Sequence, residues 1–248
     1  MKMIDLHCHF NIGSPFDYAE SNIHKGSFEF IMKSHEKFGI GAGAFSPFSS
    51  VCEAGVGGIY DDNEYLFKLA NTNEKIYQWV VLDPRQEKLF PQVKEMLNND
   101  KVLGIKIHSA YHKYDIEEYA DRIFSFADEH SAFVLMHPDK ISAMVKYADK
   151  YPNMKLIIAH LGTESHIAAI KQAKNGNIFT DTSGGASNLN NIIEYAVSEV
   201  GSEKIFFGTD TYACSFQIAR IQYADISDAD KENIFYKNAE RYFKLGRI

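Results

Sequence analysis

The chain has 248 residues, of which 45% are hydrophobic and 24% charged, as in globular proteins with a sizeable core. The formal net charge of -7 argues against nucleic acid or an anionic membrane as the main partner. The three cysteines form no CxxC pair and no apolar run approaches the roughly 20 residues of a membrane span, so we expect a cytoplasmic protein.

The N-terminal segment MIDLHCHF is the first predicted strand, and it carries His7 and His9 two residues apart. Because successive side chains of a strand point to opposite faces, we expect Asp5 to share a face with His7 and His9. Leu6 and Cys8 should occupy the other face. Two neighbouring imidazoles suit a divalent metal, although an HxH pair alone is a weak motif.

Strands and helices alternate regularly along the rest of the chain. Further strands are predicted at residues 39–48, 76–84, 102–108, 132–138, 154–162, 177–183 and 204–212. Helices are predicted at residues 27–38, 63–75, 91–99, 116–130, 141–151, 166–174 and 191–200, with a C-terminal helix from about residue 228. Residues 10–26 and 51–63 are predicted loops.

The strands show little period-2 alternation, as expected when both faces of a parallel sheet are covered. Eight βα units without a composition break predict an α/β fold, a single-domain (β/α)8 TIM barrel over residues 1–248. A doubly wound open sheet is the alternative.

Histidines and one aspartate lie at or near the ends of five of the predicted strands. His108, His137, His160 and Asp210 follow the first-strand pair, and 29 residues separate His108 from His137, close to the roughly 30 residues of one barrel unit. Since the carboxyl ends of barrel strands surround one pocket, these side chains should converge, and the joint pattern predicts a shared metal site.

Three other histidines, His112, His130 and His166, fall in helices or loops and are interpreted as solvated.

The motifs DLHCH, GIKIH, LMHP, IAHLG and GTD, in this order, resemble those of the amidohydrolase superfamily, in particular its amidohydrolase-2 branch of metal-dependent barrel hydrolases and decarboxylases. The resemblance continues into the tail, where NAERYF is similar to the usual ending of that branch. It implies that His7, His9, His137 and Asp210 bind the metal. His160 would then be catalytic or serve a second metal.

The fourth predicted strand, GIKIH, carries Lys106 in phase with His108. Binuclear relatives have a carboxylated lysine on this strand, but Lys106 would lie one layer deeper than His108, so we do not expect it to bridge metals. His108 is interpreted as a substrate hydrogen-bond donor or a ligand to a second ion.

The predicted function is that of a metal-dependent hydrolase acting on an amide, lactone or other acyl bond of a small polar substrate. Asp210 and His160 are the predicted catalytic residues, with Asp210 orienting a metal-activated water and His160 delivering a proton. The cofactor is a divalent metal ion, zinc in the first place, with manganese, iron or cobalt as alternatives. A homodimer is left open.

Two alternatives remain. The first is a metal-dependent non-oxidative decarboxylase of an aromatic or unsaturated acid, whose carboxylate Arg85, Tyr111 or Tyr212 would hold, unless Arg85 only forms a loop ion pair. The second is a metal-binding barrel without catalysis. Substrate choice would come from the βα loops, chiefly residues 10–26 and 48–60.

Overall fold

The computed structural model describes residues 1–12, 21–52 and 58–246, and eight parallel strands form one sheet in sequence order within them. The strands are β1 (Ile4–Phe10), β2 (Ala42–Pro47), β3 (Ile76–Val81), β4 (Val102–Ile107), β5 (Phe133–Met136), β6 (Lys155–Ile158), β7 (Ile178–Asp181) and β8 (Ile205–Phe206). The predicted single-domain TIM barrel is confirmed.

Helices follow the strands around the outside of this sheet. They are α1 (Phe28–Phe38), α2 (Phe48–Val51), α3 (Gly58–Thr72), α4 (Leu89–Met96), α5 (Ser109–His112), α6 (Ile116–Glu129), α7 (Ile141–Lys150), α8 (Glu164–Gln172), α9 (Ile192–Val200), α10 (Cys214–Gln222), α11 (Asp228–Glu232) and α12 (Asn238–Tyr242), with a π-helical turn over Asn233–Lys237. No described helix combines the length and apolarity that a membrane span needs.

The sequence pattern misses some of these helices. Helix α3 begins at Gly58, so the loop predicted over residues 51–63 is too long, and α2, α5 and α10 lie where no helix was predicted. Helix α2 and helix α5 have four residues each, which is too short for a helical period to be recognised.

The seam between β1 and the residues after β8 closes the barrel. Leu6 N–H donates to the carbonyl of Phe207 (2.9 Å), and the N–H groups of Thr209 and Asp210 both donate to the carbonyl of His7 (3.1 and 2.6 Å). The backbone at His7 is therefore held directly by the segment that carries Asp210.

A β-bulge in β1 changes which side chains share a face. Asp5 pairs with Gly43 of β2 but Cys8 pairs with Phe45, so β1 uses one residue more than β2 between these pairs. Leu6 and His7 consequently both point into the barrel, while Asp5 and Cys8 point outward. The prediction that Asp5 shares a face with His7 and His9 is wrong, because it assumed a regular strand.

The outward carboxylate of Asp5 strengthens the seam from its other side. It accepts hydrogen bonds from His7 N–H (3.2 Å), Thr209 N–H (3.0 Å) and the Thr209 hydroxyl (2.5 Å). His35 Nε2 of α1 lies 3.2 Å from the same carboxylate. Asp5 is fully buried, so these donors replace the water that the charge would otherwise need.

The amino-terminal mouth of the barrel is filled with aromatic side chains. Trp79, Phe133 and Phe206 pack there against the chain's tail, with ring centroids of Phe133 and Phe243 4.6 Å apart and those of Trp79 and Phe243 5.9 Å apart. These rings close the amino-terminal mouth, and the cavity described below lies at the opposite, carboxyl-terminal mouth.

We expect Asp5→Asn to lower the free energy of unfolding by about 2–3 kcal/mol, the scale of buried hydrogen bonds to a charged group. The substituted amide turns an NH₂ group toward donors that need an acceptor. Denaturant unfolding measures the change. Asp100→Asn is the matched control, since it removes only the exposed Asp100–Lys244 ion pair, and equal effects of the two substitutions would contradict this account.

Candidate metal centre

The predicted site residues other than His7 lie at or near the carboxyl-terminal ends of their strands, around one mouth of the barrel. A cavity of about 430 Å³ opens there, and its lining includes His9, His108, His137, His160 and Asp210. His7 lies just beneath it, with its ring centroid 5.1 Å from that of His9 and 5.0 Å from that of His160. The structure thus brings together every residue for which a metal or catalytic role was predicted.

Three of these imidazoles are held through Nδ1 by an oxygen atom. His7 Nδ1 donates to Asp181 Oδ2 (2.9 Å), His9 Nδ1 to the carbonyl of Ser46 (3.0 Å) and His160 Nδ1 to the carbonyl of Ser183 (3.0 Å). A proton on Nδ1 makes Nε2 the nitrogen whose electron pair can bind a metal ion. Such outer partners fix the tautomer and the ring orientation that a metal ligand requires.

The Nε2 atoms of His7 and His9 lie close to each other. His7 Nε2 and His9 Nε2 are 3.2 Å apart, a separation that suits two nitrogens each about 2.1 Å from one ion. The potential ligand atoms fall into two groups that share His7: His7, His9 and Asp210, and His7, His137 and His160. Of the four ligands implied by the resemblance, His137 therefore lies in a different group from His9 and Asp210.

Asp210 lies between the two groups. Its carboxylate oxygens are 3.7 Å from His9 Nε2 and 3.7 Å from His160 Nε2. Both His160 (φ 63°) and Asp210 (φ 58°) have left-handed backbone conformations, which are uncommon for residues other than glycine. Strained residues of this kind cluster at functional sites, and here they aim two side chains into the same cavity.

Lys106 reaches the centre of the cluster, which the sequence did not indicate. Its Nζ lies 2.8 Å from His7 Nε2 and 2.9 Å from His137 Nε2, although its backbone is one layer deeper than that of His108. The four-carbon side chain of Lys106 spans the layer and brings its amino group to two predicted ligands. An amino group thus already lies among these imidazoles. That Lys106 does not bridge metal ions stays a prediction.

Burial controls the charges of the cluster. Burial, helped by Lys106, lowers the pKa of His7 and lowers the pKa values of His9 and His137 well below the usual range. These imidazoles are consequently neutral at pH 7, as metal ligands must be. Burial also lowers the pKa of Lys106 to about 7, against the opposing effects of Asp210 and Asp181.

Asp181 and Ser183 at the end of β7 are part of the site although no motif marked them. Burial alone would raise the pKa of Asp181, but His7 and its other hydrogen-bond partners outweigh burial and lower that pKa. Besides His7, the carboxylate accepts the N–H of Ser183 (2.8 Å) and of His160 (3.3 Å). The sequence TDTS at a strand end was the available signal.

His108 has different surroundings from the other histidines of the cavity. Its ring lies between those of Tyr111 and His137, with both centroid distances 4.2 Å, and its Nδ1 accepts the Tyr111 N–H (3.3 Å). Burial, helped by Lys106, lowers the pKa of His108 to about 2.

Several other candidates lie outside the cavity. Arg85 pairs with Asp83 (2.9 Å) and donates to the carbonyl of His112 (2.7 Å), which confirms its interpretation as a loop ion pair.

His112 and His166 are buried, so the prediction that they are solvated is wrong. The Nε2 atom of His112 lies 2.8 Å from the carbonyl of Ser50, and that of His166 lies 3.1 Å from the carbonyl of Ala159.

Aromatic side chains form the wall of the cavity. Phe48, Tyr111 and Tyr212 line it together with Val51 and His24, which belong to the two loops expected to govern substrate choice. Residues 13–20 and 53–57 of those loops lie outside the described part of the chain.

Residues 4–245 match the model of the Amidohydro_2 family, described as amidohydrolase. A search of curated proteins gives no significant match.

Solved structures with the same fold include three that cover nearly the whole chain. One is 5-carboxyvanillate decarboxylase from Sphingomonas paucimobilis (TM-score 0.77, 11% identity, 99% of each chain covered). Another is dihydroxybenzoic acid decarboxylase from Polaromonas sp. JS666 with manganese and 2-nitroresorcinol (TM-score 0.73, 17% identity, 100% of this chain and 98% of that chain). The third is an amidohydrolase from Burkholderia multivorans with zinc (TM-score 0.74, 17% identity, 99% and 100%).

We expect Asp181→Asn to weaken metal binding by about 10- to 100-fold, the usual cost of losing an outer partner of a histidine ligand. The amide retains the shape of the carboxylate but removes the charge that orients His7. Calorimetric titration with Zn²⁺ or Mn²⁺ measures the affinity. Asp83→Asn changes another buried aspartate near a strand end, outside the cluster, and should leave the affinity unchanged; an equal loss in both variants would argue against the assignment.

Proposed function

Because this chain belongs to the amidohydrolase family, we propose that it is a metal-dependent enzyme that removes CO₂, without oxidation, from a small aromatic or unsaturated carboxylic acid. The observation that carries the proposal is the cavity itself, whose lining combines several imidazoles and Asp210 with the aromatic rings of Phe48, Tyr111 and Tyr212. Decarboxylases of aromatic acids among the structures with the same fold support this choice over hydrolysis.

The size and lining of the cavity suit such a substrate. A volume of about 430 Å³ lies at the lower end of the range for small-molecule sites. Phe48, Tyr111 and Tyr212 offer ring faces and edges to a planar molecule, and aromatic pairs favour offset or edge-to-face contacts. The two tyrosines are also within the set predicted to hold a carboxylate, whereas Arg85 is not available.

The nitrogen and oxygen donors at the floor fit a divalent ion. His7, His9 and Asp210 would hold it, with His137 in the second group of potential ligands that shares His7, and zinc and manganese both accept such ligands. When bound, the ion supplies positive charge that binds the acid's oxygens and stabilises negative charge developing on the substrate.

His160 is placed to handle the proton. Loss of CO₂ breaks the bond between the carboxyl carbon and its neighbour, and the electron pair remains on that neighbouring carbon. In its doubly protonated form His160 keeps Nδ1–H on the carbonyl of Ser183 and presents Nε2–H to the cavity beside Asp210. Transfer of this proton forms the new C–H bond, and solvent restores the proton to His160.

Hydrolysis is the second candidate, because the carboxylate of Asp210 is within 3.7 Å of both His9 and His160 at the open side of the floor. A carboxylate in this position can orient a water molecule and accept its proton. The zinc-containing amidohydrolase of the same fold agrees with this use of the site.

In D₂O, we expect the metal-loaded protein to release CO₂ from a hydroxybenzoate and to leave one deuterium at the carbon that carried the carboxylate. Proton NMR reveals the deuterium as a missing aromatic proton signal, and a gas electrode detects the CO₂. A panel of 2,6-dihydroxybenzoate, 5-carboxyvanillate, an aryl lactone and an aryl amide separates the candidates. Cleavage of the lactone or amide without CO₂ from either acid would establish hydrolysis instead.

We expect His160→Asn to lower kcat by about 10²- to 10⁴-fold, the usual contribution of a positioned acid. Asparagine is chosen because it tolerates the positive φ of this residue better than alanine does. Steady-state kinetics with metal content measured in parallel checks the effect. His130→Asn, in a histidine outside the cavity, should keep wild-type kcat, and a His160→Asn enzyme as fast as wild type would remove His160 from the mechanism.

A further inference from the structure

His108 is the one histidine of the described cavity lining whose Nδ1 faces an N–H group. It directly follows β4 and caps helix α5, and the N–H of Tyr111 donates to its Nδ1 (3.3 Å). A nitrogen that accepts an N–H bond carries no proton itself. The neutral ring must then carry its proton on Nε2.

The neighbouring histidines provide an internal comparison. His7, His9 and His160 each turn Nδ1 toward a carboxylate or carbonyl oxygen, which places the proton on Nδ1 and leaves Nε2 as an electron-pair donor. In His108 the arrangement is reversed, so Nε2 is an N–H donor.

Binding an ion through His108 Nε2 would be costly. The proton displaced from Nε2 would have to move to Nδ1, where it would meet the N–H of Tyr111, and the cap of α5 would be lost. Two ring contacts also hold the imidazole: it stacks on His137 and meets the tilted ring of Tyr111, each with a centroid distance of 4.2 Å. Rotation of the ring to exchange its two nitrogens is thereby opposed.

The Nε2–H group has access to the cavity. Its ring contributes to the cavity lining, and Nε2 makes no hydrogen bond to any described residue. Since His108 stacks on His137, the donor lies beside the cluster of potential metal ligands.

We propose that His108 is a fixed Nε2–H donor to an oxygen atom of the substrate, and that it is not a ligand to a second metal ion. The recognised group is a carboxylate, phenolate or carbonyl oxygen held next to the cluster of potential metal ligands. The identity of the substrate rests on the proposed function, but the tautomer and the absence of metal ligation do not.

Long-range ¹H–¹⁵N NMR of the imidazole groups tests the tautomer directly, with His108→Gln used to assign the resonances. We expect the protonated nitrogen of His108 to be Nε2, both without metal and after saturation with Zn²⁺. A proton on Nδ1, or a His108 nitrogen resonance that moves to the position of a zinc-bound nitrogen, would overturn the proposal. This measurement requires no turnover.

Metal counting and ligand affinity complete the test. His108→Gln, which can retain an N–H donor, and His108→Leu, which has none, should both bind as many Zn²⁺ ions as wild type. Affinity of the zinc-loaded protein for 2,6-dihydroxybenzoate should fall about 10- to 100-fold in His108→Leu and recover at least in part in His108→Gln, as expected for a lost hydrogen bond to a charged group. Two results would refute the proposal: one bound zinc ion fewer in both variants, or an equal loss of affinity for 2,6-dihydroxybenzoate in His108→Leu and His108→Gln.

Discussion

The seam between β1 and the segment after β8 is the constraint on which the site depends. The carbonyl of His7 accepts two N–H bonds from Thr209 and Asp210, while Asp5 binds Thr209 from the outer side. Two predicted ligands from opposite ends of the chain are thereby joined through the backbone. Because the links are short and buried, a change in the seam must move His7 and Asp210 together.

The location of the site follows from the rule that the carboxyl ends of barrel strands surround one pocket. Parallel strands in sequence order place His108, His137, His160 and Asp210 at one mouth, and this follows from alternation of elements and residue spacing. The bulge in β1 was not predictable in the same way, because one extra residue leaves the local pattern unchanged. It nevertheless moves Asp5 from the presumed face of His7 to the opposite one.

Side-chain reach and hydrogen-bond partners were also beyond the sequence pattern. Lys106 shows that the depth of a residue's backbone in a barrel does not determine where a long side chain ends. Asp181 and Ser183 contribute because β7 lies next to β6 and the closed barrel brings the Asp181 side chain within reach of His7. Asp181 also acts through its charge. Together with Asp210 it favours a cation at a centre whose imidazoles are kept neutral by burial.

The division of labour among the histidines follows from what faces each Nδ1. An oxygen there makes Nε2 a pair donor, suited to a metal ion or to proton transfer, whereas the N–H of Tyr111 makes Nε2 of His108 a proton donor. His9, His108 and His160 are the same amino acid in similar positions at or near the ends of their strands, so residue type and spacing cannot separate these roles. The separation is made by the backbone of the following turn: α5 begins directly after His108 and directs an N–H back at the ring. One short helix therefore sets the hydrogen bond on which the proposed exclusion of His108 from metal binding rests.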